Sequence, residues 1–135
     1  MKKLATLLIL LTIAIAVNAE IIVFRATNYA VQFGDDYEWK EWSDWKETGL
    51  LITVNIEDLI ITIDNQYEDK FYVRKAGDEE IRYDDDGRYK VQQYEVIDQD
   101  NVLCYITWRT WDSEAIQLYV AYSNMRYVYQ CKKIG

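Results

Sequence analysis

Period two, not a helical period, organises this chain from Ile21 to Cys131. Apolar and polar residues alternate in short runs, and Asp, Asn and Gly clusters separate the runs. Leu50, Ile52 and Val54 fall on one face, with Thr53 and Asn55 opposite. Leu59, Ile61 and Ile63 repeat the pattern against Thr62 and Asp64. Cys104, Ile106 and Trp108 form a third set. Ile116, Leu118, Val120 and Tyr122 form a fourth, continued by Met125, Tyr127 and Tyr129. The chain carries 12 Tyr and 5 Trp and no proline, a composition suited to pleated, half-buried surfaces. The alternation predicts strands at about 21–33, 37–47, 50–55, 59–64, 70–75, 88–97, 102–109, 115–122 and 125–131, with a weak one at about 79–83.

Short loops join these sequential strands, so an antiparallel up-and-down meander of about eight to nine strands follows. A meander of that size exposes its edges unless it closes. The long first strand is a partner for the last, which predicts an all-β fold: a small closed or partly closed barrel, lipocalin- or avidin-like in outline. A β-sandwich is the alternative. The faces opposite the core sets hold Ile60, Leu103, Tyr105, Tyr119 and Val128, so part of the second face is expected to be covered or to form a patch.

Residues 1–19, MKKLATLLILLTIAIAVNA, have the layout of a secretory signal peptide: Lys2 and Lys3, an uncharged stretch of 14 residues from Leu4 to Val17, then Val17-Asn18-Ala19 as a cleavage site. That stretch is shorter than the roughly 20 residues of a spanning helix. The expected organisation is a signal peptide over 1–19 and one β domain over 20–135, exported to the periplasm or beyond. No stable membrane insertion is expected after cleavage. The full chain has a formal net charge of −8, and loss of Lys2 and Lys3 makes it −10. Such a charge argues against nucleic acid as a partner.

The residue inventory narrows the chemistry. Zero histidine excludes Ser-His-Asp and Cys-His nucleophile schemes and imidazole metal sites. No phosphate-binding glycine motif occurs. The Asp84-Asp85-Asp86-Gly87 and Asp98-Gln99-Asp100-Asn101 clusters fit hairpin turns better than calcium loops. With Gly87 at loop position six, the first and last EF-hand ligands would be Arg82 and Gln93. A carboxylate-pair hydrolase needs no histidine, but nothing marks Glu38 with Glu41, or Glu79 with Glu80, above other acids. Ser43, Ser113 and Ser123 lack a recognisable base. The reading leans away from an enzyme, with no metal and no cofactor.

A secreted chain with two cysteines invites a disulfide, but the meander argues otherwise. Cys104 and Cys131 fall on strands separated by a third, at least roughly 10 Å apart, whereas a bridge needs Cα atoms within about 7 Å. Cys104 reads as a buried apolar residue and Cys131 as a near-terminal thiol.

The candidate binding residues are aromatic: Trp39, Trp42 and Trp45 in WKEWSDW, with Trp111 and Tyr119. They suit a platform for a sugar or other flat ligand, with neighbouring carboxylates accepting hydroxyl hydrogen bonds. The bland alternative has two of the three tryptophans plugging a barrel end and the third on the rim. Trp111, in the turn TWDSE, is the aromatic most expected to be exposed.

The runs FRATNYAVQF, WKEWSDW, LLITVNIEDLIITI, DDDG and QLYVAYSNMRYVY together resemble a set of small signal-peptide-bearing all-β proteins from gut bacteria. The resemblance spans nearly all of residues 22–130. It implies a shared fold and a cysteine often present at the position of Cys104 but not of Cys131, and it implies no substrate or catalytic residue. Two functions stay in play. One is an exported barrel that binds a small molecule or glycan, which requires an unfilled lumen lined by some of the Tyr and Trp residues. The other is a protein-binding module, such as an envelope-assembly factor or enzyme inhibitor, which requires an exposed aromatic patch.

Overall fold

The computed structural model describes residues 20–34, 38–65 and 68–134. The proposed signal segment, 1–19, lies outside the described residues. Ten strands run in chain order: β1 (Ile21–Phe33), β2 (Lys46–Glu47), β3 (Leu51–Asn55), β4 (Ile60–Asp64), β5 (Asp69–Ala76), β6 (Glu80–Asp84), β7 (Gly87–Asp98), β8 (Leu103–Trp111), β9 (Ile116–Ala121) and β10 (Met125–Lys133). All pairings are antiparallel, and there is no helix among the described residues. Eight strands close a barrel in the order β1-β3-β4-β5-β7-β8-β9-β10, sealed by β10 against β1. The register of the final hairpin sets Val120 opposite Tyr127.

The two remaining strands fill edges that the barrel leaves open. β3 pairs only with residues 21–25 of β1, and β2 takes up Asn28 and Tyr29 on the same edge. The expected second strand over 37–47 is thus reduced to two residues. The stretch before β2 is irregular, yet it serves the rest of that edge: Lys40 N–H donates to the Phe33 carbonyl at 2.9 Å, and Ser43 N–H to the Val31 carbonyl at 2.8 Å. Backbone donors and acceptors on β1 are satisfied without a ladder, and a sticky edge is blunted. On the far side, β7 divides its edge between β5 and β6.

The interior holds most of the period-two sets predicted above, but Leu59, expected on β4, lies in the turn before it, and Met125 stands outside the core cluster. Ile52, Ile61, Ile63, Phe71, Val96, Cys104, Ile106, Leu118 and Val120 are buried almost completely. One end of the barrel is closed by tyrosines: Tyr29, Tyr122, Tyr127 and Tyr129 pack on this core. The Tyr127 and Tyr129 rings meet edge-on at 5.5 Å. The Tyr122 hydroxyl donates to Asp98 Oδ2 at 2.9 Å, so the polar tip of this plug is satisfied. The tryptophans expected as the alternative plug are not there.

Both cysteines are free and buried. The unbridged arrangement follows from the strand order, since β9 separates β8 from β10. Cys131 is more enclosed than a near-terminal thiol suggests, because β1 and β9 flank it through Ala26 and Ile116.

Candidate functional site

At the other end the barrel is open. A cavity of about 720 Å³ lies between the starts of β1 and β9, the β3–β4 turn, the end of β5 and the middles of β7 and β8. Its wall is the same inward-facing parity that builds the core one turn of pleat deeper. Val54, Ile61, Val73 and Ile116 supply aliphatic surface, and Tyr94, Trp108 and Phe24 supply aromatic surface. The Phe24 and Trp108 rings approach to 4.7 Å with a 36° tilt, from strands three apart in the sheet. They meet across the lumen. Val54, Val73, Tyr94, Trp108, Phe24 and Ile116 are only half-buried where they line this space, whereas Ile61 and the inward residues deeper in the barrel are sealed.

The mouth is polar. Asn55, Arg74, Lys75, Glu79, Gln92 and Thr110 border the cavity. Burial, with Glu79 nearby, raises the Tyr94 hydroxyl above its ordinary pKa, so it stands in the wall as a neutral donor. The β3–β4 turn forms part of the lip. Asp58 N–H donates to Asn55 Oδ1 at 3.0 Å, and Leu59 sits at φ 56°. A leucine in the left-handed region costs roughly 1–2 kcal/mol. Its carbonyl accepts from Val73 N–H at 2.9 Å, tying the turn to β5.

The aromatic residues singled out from the sequence lie elsewhere, on the outside of the barrel. Trp39, Trp42 and Trp45 are 36%, 37% and 46% exposed. Trp39 pairs with Gly34 through an isolated bridge, and its ring lies over that glycine. Arg126 stands 4.4 Å from the Trp39 ring and 5.5 Å from the Trp42 ring. Trp42 meets Tyr119 edge-on at 6.2 Å. Arg109 continues the series, 4.6 Å from Tyr119 and 5.8 Å from Tyr89. Cations and rings thus alternate across the outer face, each pair contributing about 0.5–2 kcal/mol. Part of the second face is covered in this way, with Ala30 and Val128 buried on it, while Leu103 and Tyr105 of the same outer set stay exposed.

The structure brings Trp39, Trp42 and Tyr119 together and leaves Trp45 apart from these ring contacts. Trp111 overturns its expectation: it is 7% exposed rather than the most exposed aromatic. It stacks on Tyr89 at 4.8 Å, and its indole N–H donates to Asp84 Oδ1 at 3.1 Å. β8 runs on through Trp111 opposite Tyr89 of β7, so the residue belongs to a strand and a small second core, not to the turn. Sequence reasoning placed Trp108 on the inner face but did not find it as a wall of the cavity.

No metal-ligating cluster of His, Cys, Asp and Glu occurs among the described residues. Comparison with family models, with curated proteins and with solved structures returns no match, so the sequence resemblance gains no support from them.

Proposed function

We propose that the chain is an exported barrel protein that carries a small apolar molecule in its lumen. The observation that supports this reading is the open cavity of about 720 Å³ walled by Phe24, Val54, Trp108 and Ile116. Its size falls within the roughly 300–1,000 Å³ of small-ligand sites, and its make-up is the usual one: apolar walls with a few polar groups at one end. Exposed apolar surface inside a fold is unfavourable by about 25 cal/mol per Å², and a bound apolar ligand removes it from water. The tyrosine plug leaves one entrance.

Nile red titration tests the reading. The wild-type protein should bind the dye with blue-shifted emission. An Ile116→Trp, Val54→Trp variant, which fills the cavity, should keep its melting transition and lose the dye. Equal dye binding by a folded variant would refute the lumen as the site.

A second reading has its own support. Trp39, Trp42 and Trp45 offer exposed aromatic surface beside Arg126 on the outer wall, and Trp and Arg are enriched where proteins bind proteins. Under this reading, a Trp42→Ala, Trp45→Ala variant loses a protein partner while its Nile red binding is unchanged.

A further inference from the structure

Four consecutive residues, Val73 to Ala76, border the cavity. In a regular strand neighbouring side chains point to opposite faces, so four in a row do not share one wall. The pairing of β5 with β7 breaks this rule: the register shifts between Val73 and Lys75. Bulges at barrel rims re-aim side chains in this way. Here the bulge puts Arg74 and Lys75 side by side at the entrance, both exposed.

Neither cation has an ion pair or a side-chain hydrogen bond among the described residues. Others on the same hairpins do. Lys70 lies 3.9 Å from Glu68, Arg82 2.8 Å from Glu80 and Arg88 3.1 Å from Asp112. The chain has 23 acidic residues against 15 basic ones, so carboxylate partners are plentiful. Two adjacent unpaired cations at the rim of an apolar cavity are a place for a ligand's negative charge. Glu79 borders the same space and Glu95 stands opposite Lys75. These acids oppose a head group carrying more than one negative charge.

We propose that the lumen takes a single-chain amphiphile with a carboxylate head, its chain against Phe24 and Trp108 and its head at Arg74 and Lys75. This assignment rests on the reading of the lumen as a ligand site. Arg and Lys side chains are donors only, and both make charge-assisted hydrogen bonds to a carboxylate.

The test measures the affinities of dodecanoate, dodecanol and dodecylammonium at neutral pH and low salt. Two solvent-screened ion pairs predict that dodecanoate binds about five- to tenfold more tightly than dodecanol, with dodecylammonium weakest. An Arg74→Gln, Lys75→Gln variant should bind dodecanoate no more tightly than dodecanol, and high salt should shrink the wild-type preference. Equal binding of the three by the wild-type protein would overturn the head-group assignment and leave the lumen standing. So would a preference for dodecanoate that survives in the double variant. Failure of all three to bind would overturn both.

Discussion

Alkali should destabilise this barrel through its two thiols. Cys104 and Cys131 are 1% and 6% exposed. Burial pushes the Cys104 thiol from its ordinary 9.0 up to about 11, against a lowering by the Tyr122 hydrogen bond. Burial pushes Cys131 up to about 12, against a lowering by the Leu118 backbone. A thiol is neutral below its pKa, so both folded-state values are raised above the unfolded one. Their contribution to stability is complete below pH 9.0 and declines as pH rises toward about 11 and about 12. Within that window each pH unit removes about 1.4 kcal/mol per thiol, because only the unfolded chain loses the proton. Between about pH 8 and about pH 10.5 the two together remove about 4 kcal/mol, out of the roughly 5–15 kcal/mol of an ordinary domain. Urea unfolding followed by circular dichroism, with reductant present, measures the loss. A Cys104→Ala, Cys131→Ala variant starts less stable but lacks these titrations. The gap between the two proteins should therefore narrow by about 4 kcal/mol over that interval. Parallel stability curves would refute the argument. Above about pH 10, Tyr122, Tyr127 and Tyr129 should steepen the decline in both proteins, because burial raises their hydroxyl pKa values as well.

Two other perturbations probe the plug and the outer face. A Cβ added at Gly34 would stand 2.5 Å from Trp39 Cε3 and 2.8 Å from Cδ2, so Gly34→Ala must displace the indole. A cost of about 1–3 kcal/mol and an altered near-ultraviolet circular dichroism spectrum are expected; a wild-type spectrum would show that Trp39 does not rest there. Tyr122→Phe removes the donor to Asp98 Oδ2 and should lower stability by about 1 kcal/mol in urea melts. Asp98 keeps its turn bonds to the Asp100 and Val102 amides through Oδ1, so the hairpin itself should persist, and a loss of several kcal/mol would contradict that separation.

Much of the barrel was legible because each strand states its own parity. Leu118 and Val120 announce the inner face of β9, and the Ser123-Asn124 turn carries that face into Tyr127 and Tyr129 of β10 with one register. Closure was legible too, since β1 is long enough to serve β10 along one edge and β3 and β2 along the other. The segment over 38–45 was not. Its tryptophans recur every third residue, a spacing that puts Trp42 on the opposite face of a regular strand from Trp39 and Trp45, and its bonds to Val31 and Phe33 are made without a ladder. Trp111 was misjudged for a related reason. The turn residues Asp112 and Ser113 follow it directly, but β8 does not end until Trp111 has met Tyr89.

The cavity was beyond reach on different grounds. Period two reports which side of a sheet a residue faces and nothing about its height along the barrel axis. Ile106 and Trp108 share parity and strand, yet Ile106 is sealed and Trp108 borders open space. The difference comes from what the other strands bring to each level. At the level of the plug, β1, β10 and the turn between β9 and β10 supply four tyrosines, enough volume to fill the section. At the open end, the register of β5 shifts between Val73 and Lys75, while β7 and β8 contribute Gln92, Tyr94 and Thr110. Phe24 and Trp108 meet across the lumen but do not fill it. Whether a barrel holds a cavity is thus decided by register summed around the ring, a quantity set jointly by turns and bulges, and a one-residue change in any of them would move the tyrosines off their level.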